Sequence, residues 1–594
     1  MKKNLSLAII FTFLSACAAQ PLTSTNNQDW PSYGRDYSNQ RFSNLSQINR
    51  DNVAKLAQRW TYNSGINSTF QATPIVVEGV MYLSLPFNHV VALDARDGHQ
   101  LWRYEHQRKK DYPMCCGPAN RGVAVSDGKV FIGTVDARLI ALEAKTGKVL
   151  WDIDAANDGL TNNAEVAGSL SDSDPLKKDN VSGATGVGIA MAPVVYQGKV
   201  IVGITGVGYG LHLEKATPNA PLGAVVGVAG RYGRPGFLAA FDAATGKRVW
   251  QFDSIPRQGW EGNFSATTPD GIPLNRDLAK ERATMAQYPD AWRYGGGSAW
   301  STPAIDPVRG LLFFGTGNPS PQMDDVSRPG DNLYTVSLVA LDAATGKIKW
   351  HYQQVPHDQW GYDVASPPVL FDWLKDGKKI AAVGQASKLG WFYVHERETG
   401  KLLLKSDAFV PQGNMFAKSS ADGTRIFPGV FGGVNWSPSS VDENAQTAFV
   451  AAIHWPVRYT LHDGVTDAQA DVNKPGIRYS SLEPMNEPHW GLLSAINLQT
   501  GKINWQQKTD DPLVGGVLVT AGGLLFTGEG NGNFDAFDTV TGKPLWQFKA
   551  AAGVNAPPIS YQIDGVQYVA VAAGGSQIFG FKQGDALMVF ALPK

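Results

Sequence analysis

Short apolar runs broken by turn residues dominate this chain, and one unit of that pattern recurs. Ala92-Leu93-Asp94 leads through Gly98 to Trp102, and Ala141-Leu142-Glu143 leads through Thr146-Gly147 to Trp151. The same pattern runs from Ala240 to Trp250, from Ala340 to Trp350, from Ala495 to Trp505 and from Ala536 to Trp546. A degraded copy from Val394 to Leu404 keeps Thr399-Gly400, and Trp60 reads as the closing strand of one more. Each unit predicts a hairpin. An apolar strand ends at the acidic residue, Ala-x-Thr-Gly turns tightly with Gly at positive φ, and the next strand presents Trp. The indole offers a flat apolar surface for packing on a neighbouring unit.

One such sheet cannot bury both faces, so copies must stack. Each hairpin follows further strand-like runs, such as those over 73–85 and 122–134. Several strands per repeat predict the blades of an all-β, eight-bladed β-propeller with Trp docking repeats. The wide spacing from Trp250 to Trp350 implies loops inserted within a blade. The competing fold is a β-sandwich with chance hairpins, which the number of resembling copies disfavours. In a propeller, every blade sends its innermost strand and adjoining loops to the axis. Residues hundreds of positions apart therefore meet there.

Composition and charge narrow the class. The 594 residues hold 52 Lys+Arg against 53 Asp+Glu, a balance that argues against nucleic acid or an acidic membrane as the main partner. No Cys-x-x-Cys-His haem site is present, so no c-type haem is expected within this sequence. Lys2 and Lys3 precede an apolar run over 5–14, which reads as an export signal rather than a membrane span. Leu14-Ser15-Ala16-Cys17 resembles a lipobox that would lipidate Cys17, while Ala16-Cys17-Ala18 also fits cleavage to a soluble product. Both place the mature protein outside the cytoplasm, in the periplasm, with a lipid anchor under the first. The expected organisation is a signal over 1–18, a polar tether over 19–28 and one propeller over 29–594.

Export leaves Cys115 and Cys116 as neighbouring thiols with no third partner. In an oxidising compartment they are poised to bond to each other in a strained ring of the kind that gathers at functional sites. The plainer alternative is two buried free cysteines. Further motifs stand at Asp29-Trp30-Pro31-Ser32-Tyr33-Gly34-Arg35, Asn120-Arg121-Gly122 and Gly295-Gly296-Gly297 leading to Trp300. Others are Gly315-Thr316-Gly317-Asn318-Pro319, Arg328-Pro329-Gly330-Asp331-Asn332 and Pro356-His357-Asp358-Gln359-Trp360.

On these motifs the chain resembles the pyrroloquinoline quinone (PQQ)-dependent alcohol dehydrogenases, the eight-bladed quinoproteins typified by methanol dehydrogenase. The resemblance covers nearly the whole mature chain. It implies a flat quinone on the axis, with a Cys115–Cys116 disulfide on one face and Trp300 on the other. A rigid slot of this kind holds a planar cofactor at little entropic cost. Arg121 matches an arginine pairing with a PQQ carboxylate. Thr205 and Gly206 match contacts to the cofactor rim, Lys388 a basic residue against the quinone oxygens, and Asn435 a further polar contact. Taken singly, Arg121 or Lys388 also reads as a blade-edge charge and Trp300 as inter-blade core.

The implied chemistry is alcohol oxidation. An aspartate takes the hydroxyl proton, hydride passes from the carbinol carbon to the quinone, and calcium or a lanthanide polarises the quinone carbonyl. Electrons then leave to a cytochrome c or similar carrier.

The departures from the family fall at the catalytic centre. Asn318 matches a metal-binding asparagine. The metal-binding glutamate falls on Gly208, or on Arg231 if the gap around an insertion at about 211–230 is placed differently. The catalytic aspartate falls on Gly361. Asp363 matches the extra metal-binding aspartate of the lanthanide-dependent branch and is the first candidate for base or metal ligand. Asp358 is a lesser candidate that also fits a turn cap. The insertion, expected to shape the pocket mouth, offers Glu214 or Arg231; a cation at Arg231 would replace the metal as electrophile. Gln71 stands where many members have glutamate, and Val514 and Ile578 replace tryptophans of methanol dehydrogenase. Without its glutamate the metal site weakens, and without its base proton abstraction slows by roughly 10²–10⁴-fold unless another group substitutes. The rival functions are a hydrolase that has lost the quinone and a non-catalytic envelope propeller; retained Cys115, Cys116 and Trp300 favour the dehydrogenase.

Overall fold

The computed structural model describes residues 28–107, 118, 120–156, 188–205, 211–213, 224–226, 235–320, 326–463 and 478–593. Eight antiparallel blades follow one another in chain order. The first holds Ile75–Val77, Val80–Ser84, Val90–Asp94 and Gln100–Tyr104, paired as neighbours in that order. The last is closed from the other end of the chain. Its fourth strand, Ala57–Ser68, pairs with Gly584–Ala591, so the two ends of the propeller lock into one sheet. Trp60 is on that strand, where the sequence pattern puts it.

The repeat explains how the blades dock. In most copies the turn brings its glycine under the indole of the preceding blade. A Cβ on Gly98 would lie 2.4 Å from Trp60, on Gly147 2.5 Å from Trp102, and on Gly542 2.5 Å from Trp505. The indole N–H then bonds a carbonyl of the next blade: Trp102 Nε1 donates to Ala144 at 2.9 Å and Trp350 Nε1 to Arg397 at 2.8 Å. Gly147 has φ +72°, so the turn needs the left-handed backbone and the close approach needs a missing side chain. The degraded copy docks more loosely, with Gly501 facing Leu404 at 3.2 Å.

The hub is crossed by residues 29–43. Trp30 exchanges backbone hydrogen bonds with Val76 of the first blade. Tyr37, Ser38, Gln40 and Arg41 then accept from Ile305, Leu370, Val441 and Val519, each on the innermost strand of a successive blade. The Arg41 side chain is fully buried and donates to the carbonyls of Tyr33 and Pro558. Burial pushes its pKa down to about 10.

A ninth sheet lies outside the blade pattern: Leu211–Leu213, Ala224–Val226, Arg478–Pro484, Val457–Asp463 and Thr424–Ile426. Its strands come from connections of three different blade regions. The insertion expected at about 211–230 contributes its first hairpin, joined to the rest through Val226 and Ser480. Among the described residues no helix is long and apolar enough to cross a membrane.

Candidate active site

The sequence-predicted residues that are described lie on two kinds of connection. Arg121, Trp300, Asp363 and Asn435 precede the first strand of a blade; Thr205, Asn318 and Lys388 follow a second strand. In a propeller these connections share one face of the ring. The structure brings them into a closed circuit of contacts.

The circuit starts at Arg121, which is buried. Its guanidinium carbon lies 4.9 Å from the Trp300 ring and 5.0 Å from the Trp436 ring. Its Nη1 donates to the carbonyls of Trp300 and Ala190, each at 3.2 Å. The Trp300 segment runs alongside the Gly-Thr-Gly-Asn segment: Gly297 N–H donates to Asn318 O and Gly317 N–H to Ser298 O, both at 2.8 Å. A Cβ on Gly317 would press on Ser298 and on Asp363 Oδ1 at 3.0 Å, so the glycine lets these segments close up.

Asp363 is next. Its Oδ1 accepts the Asn318 backbone N–H at 2.5 Å, and its Oδ2 accepts from Lys388 Nζ at 3.0 Å. Lys388 is buried and also donates to the Gly361 carbonyl at 2.7 Å. Its turn is gripped by the next connection: Gly433 N–H donates to Lys388 O at 2.6 Å, and a Cβ on Gly432 would collide with the lysine stem at 2.4 Å. That connection carries Asn435, which donates to Phe431 O at 3.0 Å, and then Trp436, which closes the circuit on Arg121.

Thr205 joins from the side. Its hydroxyl accepts from Gly188 N–H at 2.8 Å, and Arg121 N–H bonds Ala190 two residues on. Gln71 is buried two residues from Thr73, whose N–H donates to Arg121 O at 2.9 Å. Cys17, Cys115, Cys116, Gly206, Gly208, Glu214 and Arg231 lie outside the described residues.

Asp358 is a cap. Its Oδ1 accepts from Trp360 N–H at 3.0 Å, and its Oδ2 from Gly361 and Tyr362 N–H, both at 3.1 Å. Burial raises its pKa to about 6, opposed by the Trp360 N–H and reinforced by the Asp363 charge. The loop it caps is braced from behind. Arg328 donates to Asp358 O at 2.6 Å, and His357 Nδ1 lies 2.7 Å from Gly330 O. Above it, Tyr459 of the ninth sheet donates to Trp360 O, and Tyr362 donates to Pro428 O, both at 2.8 Å. Val514 packs with Ile453 and Phe579, and Ile578, Phe431 and Trp455 border the same cluster.

Trp436 is the residue that motif reading missed. The sequence signal was its position next to Asn435 in Gly432-Gly433-Val434-Asn435-Trp436. A flat, electron-poor polyanion suits this donor set: an indole for its face and two buried cations for its oxygens. Among the described residues no three His, Cys, Asp or Glu side chains converge, and both oxygens of Asp363 are engaged.

Comparison with known proteins identifies the family. A family model described as "PQQ: Glucose/ethanol/alcohol dehydrogenase, beta-propeller domain" matches residues 30–415 and 405–569. The quinoprotein alcohol dehydrogenase PedH of Pseudomonas putida is 30% identical over 616 residues, covering 96% of this chain and 92% of that protein. A quinohemoprotein alcohol dehydrogenase of Comamonas testosteroni is 33% identical over 581 residues, covering 93% of this chain and 73% of that protein. A crystal structure of the C. testosteroni enzyme superposes with a TM-score of 0.76 at 30% identity, over 95% of this chain and 80% of that one. A europium-containing methanol dehydrogenase gives 0.75 at 26% identity, over 96% and 99%. The chain belongs to the PQQ-dependent alcohol dehydrogenase family and is an oxidoreductase of that kind.

Proposed function

We propose that this protein is an exported, periplasmic dehydrogenase that uses PQQ to oxidise an alcohol or other hydroxylated small molecule. An external carrier such as a cytochrome c then takes the electrons. The observation that carries the reading is the closed circuit from Arg121 through Trp300, Asp363, Lys388 and Trp436. It gathers resemblance-derived residues of six connections, Asn318 and Asn435 included, with the charges that a planar polycarboxylate requires. Export rests on the amino-terminal sequence, with Cys17 as the lipidation site under the lipobox reading.

Bound PQQ supplies a two-electron acceptor for hydride. The chain supplies placement and proton handling. Trp300 offers a flat face, and the Arg121 fork, already held between two indoles, meets a carboxylate with little reorganisation. Asp363 is the group that takes the hydroxyl proton. Lys388, 3.0 Å away, holds that carboxylate and fixes which oxygen faces the site. The ninth sheet packs against the Asp363 loop and limits water entry from that side.

The test is to add PQQ to purified apoprotein and follow dye reduction across a panel of primary, secondary and aromatic alcohols. Substrate-dependent reduction that needs PQQ supports the reading. PQQ-loaded protein that reduces no dye with any hydroxylated substrate refutes it.

A further inference from the structure

We infer that Asp358, with the motif over 328–332 behind it, is a positioning device for the carboxylate that takes the proton. It fixes the turn over 358–362 so that Lys388 meets both the Gly361 carbonyl and Asp363. This role rests on the reading of Asp363 as the proton acceptor.

The peptide joining Gly361 to Tyr362 is held at both ends. Its N–H donates to Asp358 Oδ2 at 3.1 Å, and its carbonyl accepts from Lys388 Nζ at 2.7 Å. Asp358, fully buried, also holds the N–H groups of Trp360 and Gly361. Lys388 Nζ then reaches Asp363 Oδ2 at 3.0 Å. The lysine therefore grips the chain at two points two residues apart, and the turn sets the distance between them. Gly361 has φ +82° and no side chain to prefer that state, so the cap must select it. A turn that relaxed would leave Lys388 unable to serve both acceptors, and a shift of about 1 Å in a reacting group can cost roughly 10²-fold in rate.

The cap is itself held by a motif that blade docking does not use. Arg328, buried, donates to Asp358 O and to Asn332 Oδ1, both at 2.6 Å, and Asn332 Nδ2 donates back to Arg328 O at 3.0 Å. His357 N–H and Gln353 Nε2 both donate to Asp331 O, at 3.0 and 2.8 Å. The Asp331 carboxylate is anchored in the long insertion between Trp250 and Trp350. It accepts from Asn263 N–H at 3.0 Å, Ser265 N–H at 2.8 Å and Arg276 Nη1 at 2.6 Å. Arg276 Nη2 and Gly330 N–H then meet Glu281 Oε2 at 2.6 and 3.1 Å. The Arg276 and Asp331 side chains are only 1% and 4% exposed. Buried charges paired this completely hold one arrangement, because any other leaves a charge unpaired. The insertion thus braces the turn from behind, and Asp358 passes that rigidity to Gly361 and Asp363.

The experiment compares wild type with Asp358→Asn, whose amide accepts at one atom where the carboxylate accepts at two. In apoprotein, hydrogen exchange read by mass spectrometry should be roughly tenfold or more faster over 358–363 and unchanged over the strand at 337–342. Lys388→Met should lower the melting temperature by roughly half as much, or less, in the Asp358→Asn background as in wild type, since both act on one turn. Unchanged exchange or additive melting losses overturn the inference. In PQQ-loaded protein, kcat should fall roughly 10–100-fold, with KM and the quinone Kd within about threefold of wild type. Once Asp363→Asn is present, Asp358→Asn should lower kcat no further; an equal fall in both backgrounds overturns the inference. Arg328→Lys keeps the charge but loses the fork, and should show the same pattern with kcat down roughly three- to tenfold. It decides the matter if Asp358→Asn does not fold, and wild-type kcat and exchange in Arg328→Lys overturn the inference. Loaded wild type that reduces no dye with any hydroxylated substrate overturns the dehydrogenase reading and the inference with it, whereas failure of the apoprotein measurements overturns the inference alone.

Discussion

The Lys388–Asp363 pair makes a sharp stability prediction. The ammonium and carboxylate are 3.0 Å apart, with side chains 4% and 13% exposed. At an effective dielectric of about 20 their gross attraction is ~5–6 kcal/mol, most of it offset by the cost of drying both ions. Removing one partner leaves the other charge buried, which costs about 3–5 kcal/mol. Asp363→Asn and Lys388→Met should therefore each destabilise by that amount. Unfolding entropy grows with chain length, and for a chain this long it converts 1 kcal/mol into roughly 0.8–0.9 °C. Each single variant should thus melt about 3–4 °C below wild type, and the double variant within about 1–2 °C of it. Differential scanning calorimetry on all four proteins closes the cycle. If the double variant falls by the sum of the singles, the two groups do not act as a pair and the contact is incidental. Asp363→Asn should also lower kcat by roughly 10²–10⁴-fold if the carboxylate is the base, whatever the melting data show.

Three further expectations use other parts of the molecule. Gly147→Ala meets both a φ of +72° and a Trp102 atom at 2.5 Å, so it should cost ~2–4 kcal/mol, whereas Gly128→Ala, at φ +70° with open space around it, should cost only ~1 kcal/mol. Equal losses in melting would refute the docking role of the repeat glycine. Arg121→Lys keeps the charge but loses the fork between the two indoles, and should weaken PQQ binding by roughly 10–100-fold in a quenching titration. Burial and the neighbouring Glu529 push the Asp535 carboxyl up to about 7, so its folded pKa lies above its unfolded one. Its contribution to stability is full below about pH 4 and is lost as pH rises through 7. Asp535→Asn should accordingly gain melting temperature relative to wild type between pH 5 and 8, and a difference that stays flat over that range would count against the assignment.

The framework was legible because it repeats. Ala-x-Thr-Gly and Trp recur where the physics of one hairpin recurs, and Trp60 even announced the closure that joins the two ends of the ring. The site was legible where short motifs are fixed by close approach, as at Gly317 against Asp363 or Gly432 against Lys388. What escaped was pairing between motifs. Nothing in the run from Gly315 to Pro319 says that the Asn318 backbone N–H would be spent on Asp363 while its side chain turns to Pro319 O. Nor does Gln385-Ala386-Ser387-Lys388 reveal that its lysine would turn to a carboxylate 25 residues upstream. Trp436 was missed for the same reason, since its partner Arg121 lies in a connection four blades away in sequence. Asp358 was left between two roles, and only the three N–H groups around it decide for the cap.

The same division explains how such a centre can diverge while the ring stays intact. Blade docking depends on glycine under indole and on indole N–H to carbonyl, all at the turns between third and fourth strands and on the fourth strands themselves. The hub depends on residues 29–43 reaching the innermost strands. Neither set includes Gly361, Asp363 or Lys388, which sit on connections held mainly by their own capping and by one another. A carboxylate lost at position 361 therefore costs the framework nothing. At the centre itself, Lys388 and Asp363 neutralise each other at 3.0 Å, so the charge there is balanced between two connections and not by the blades.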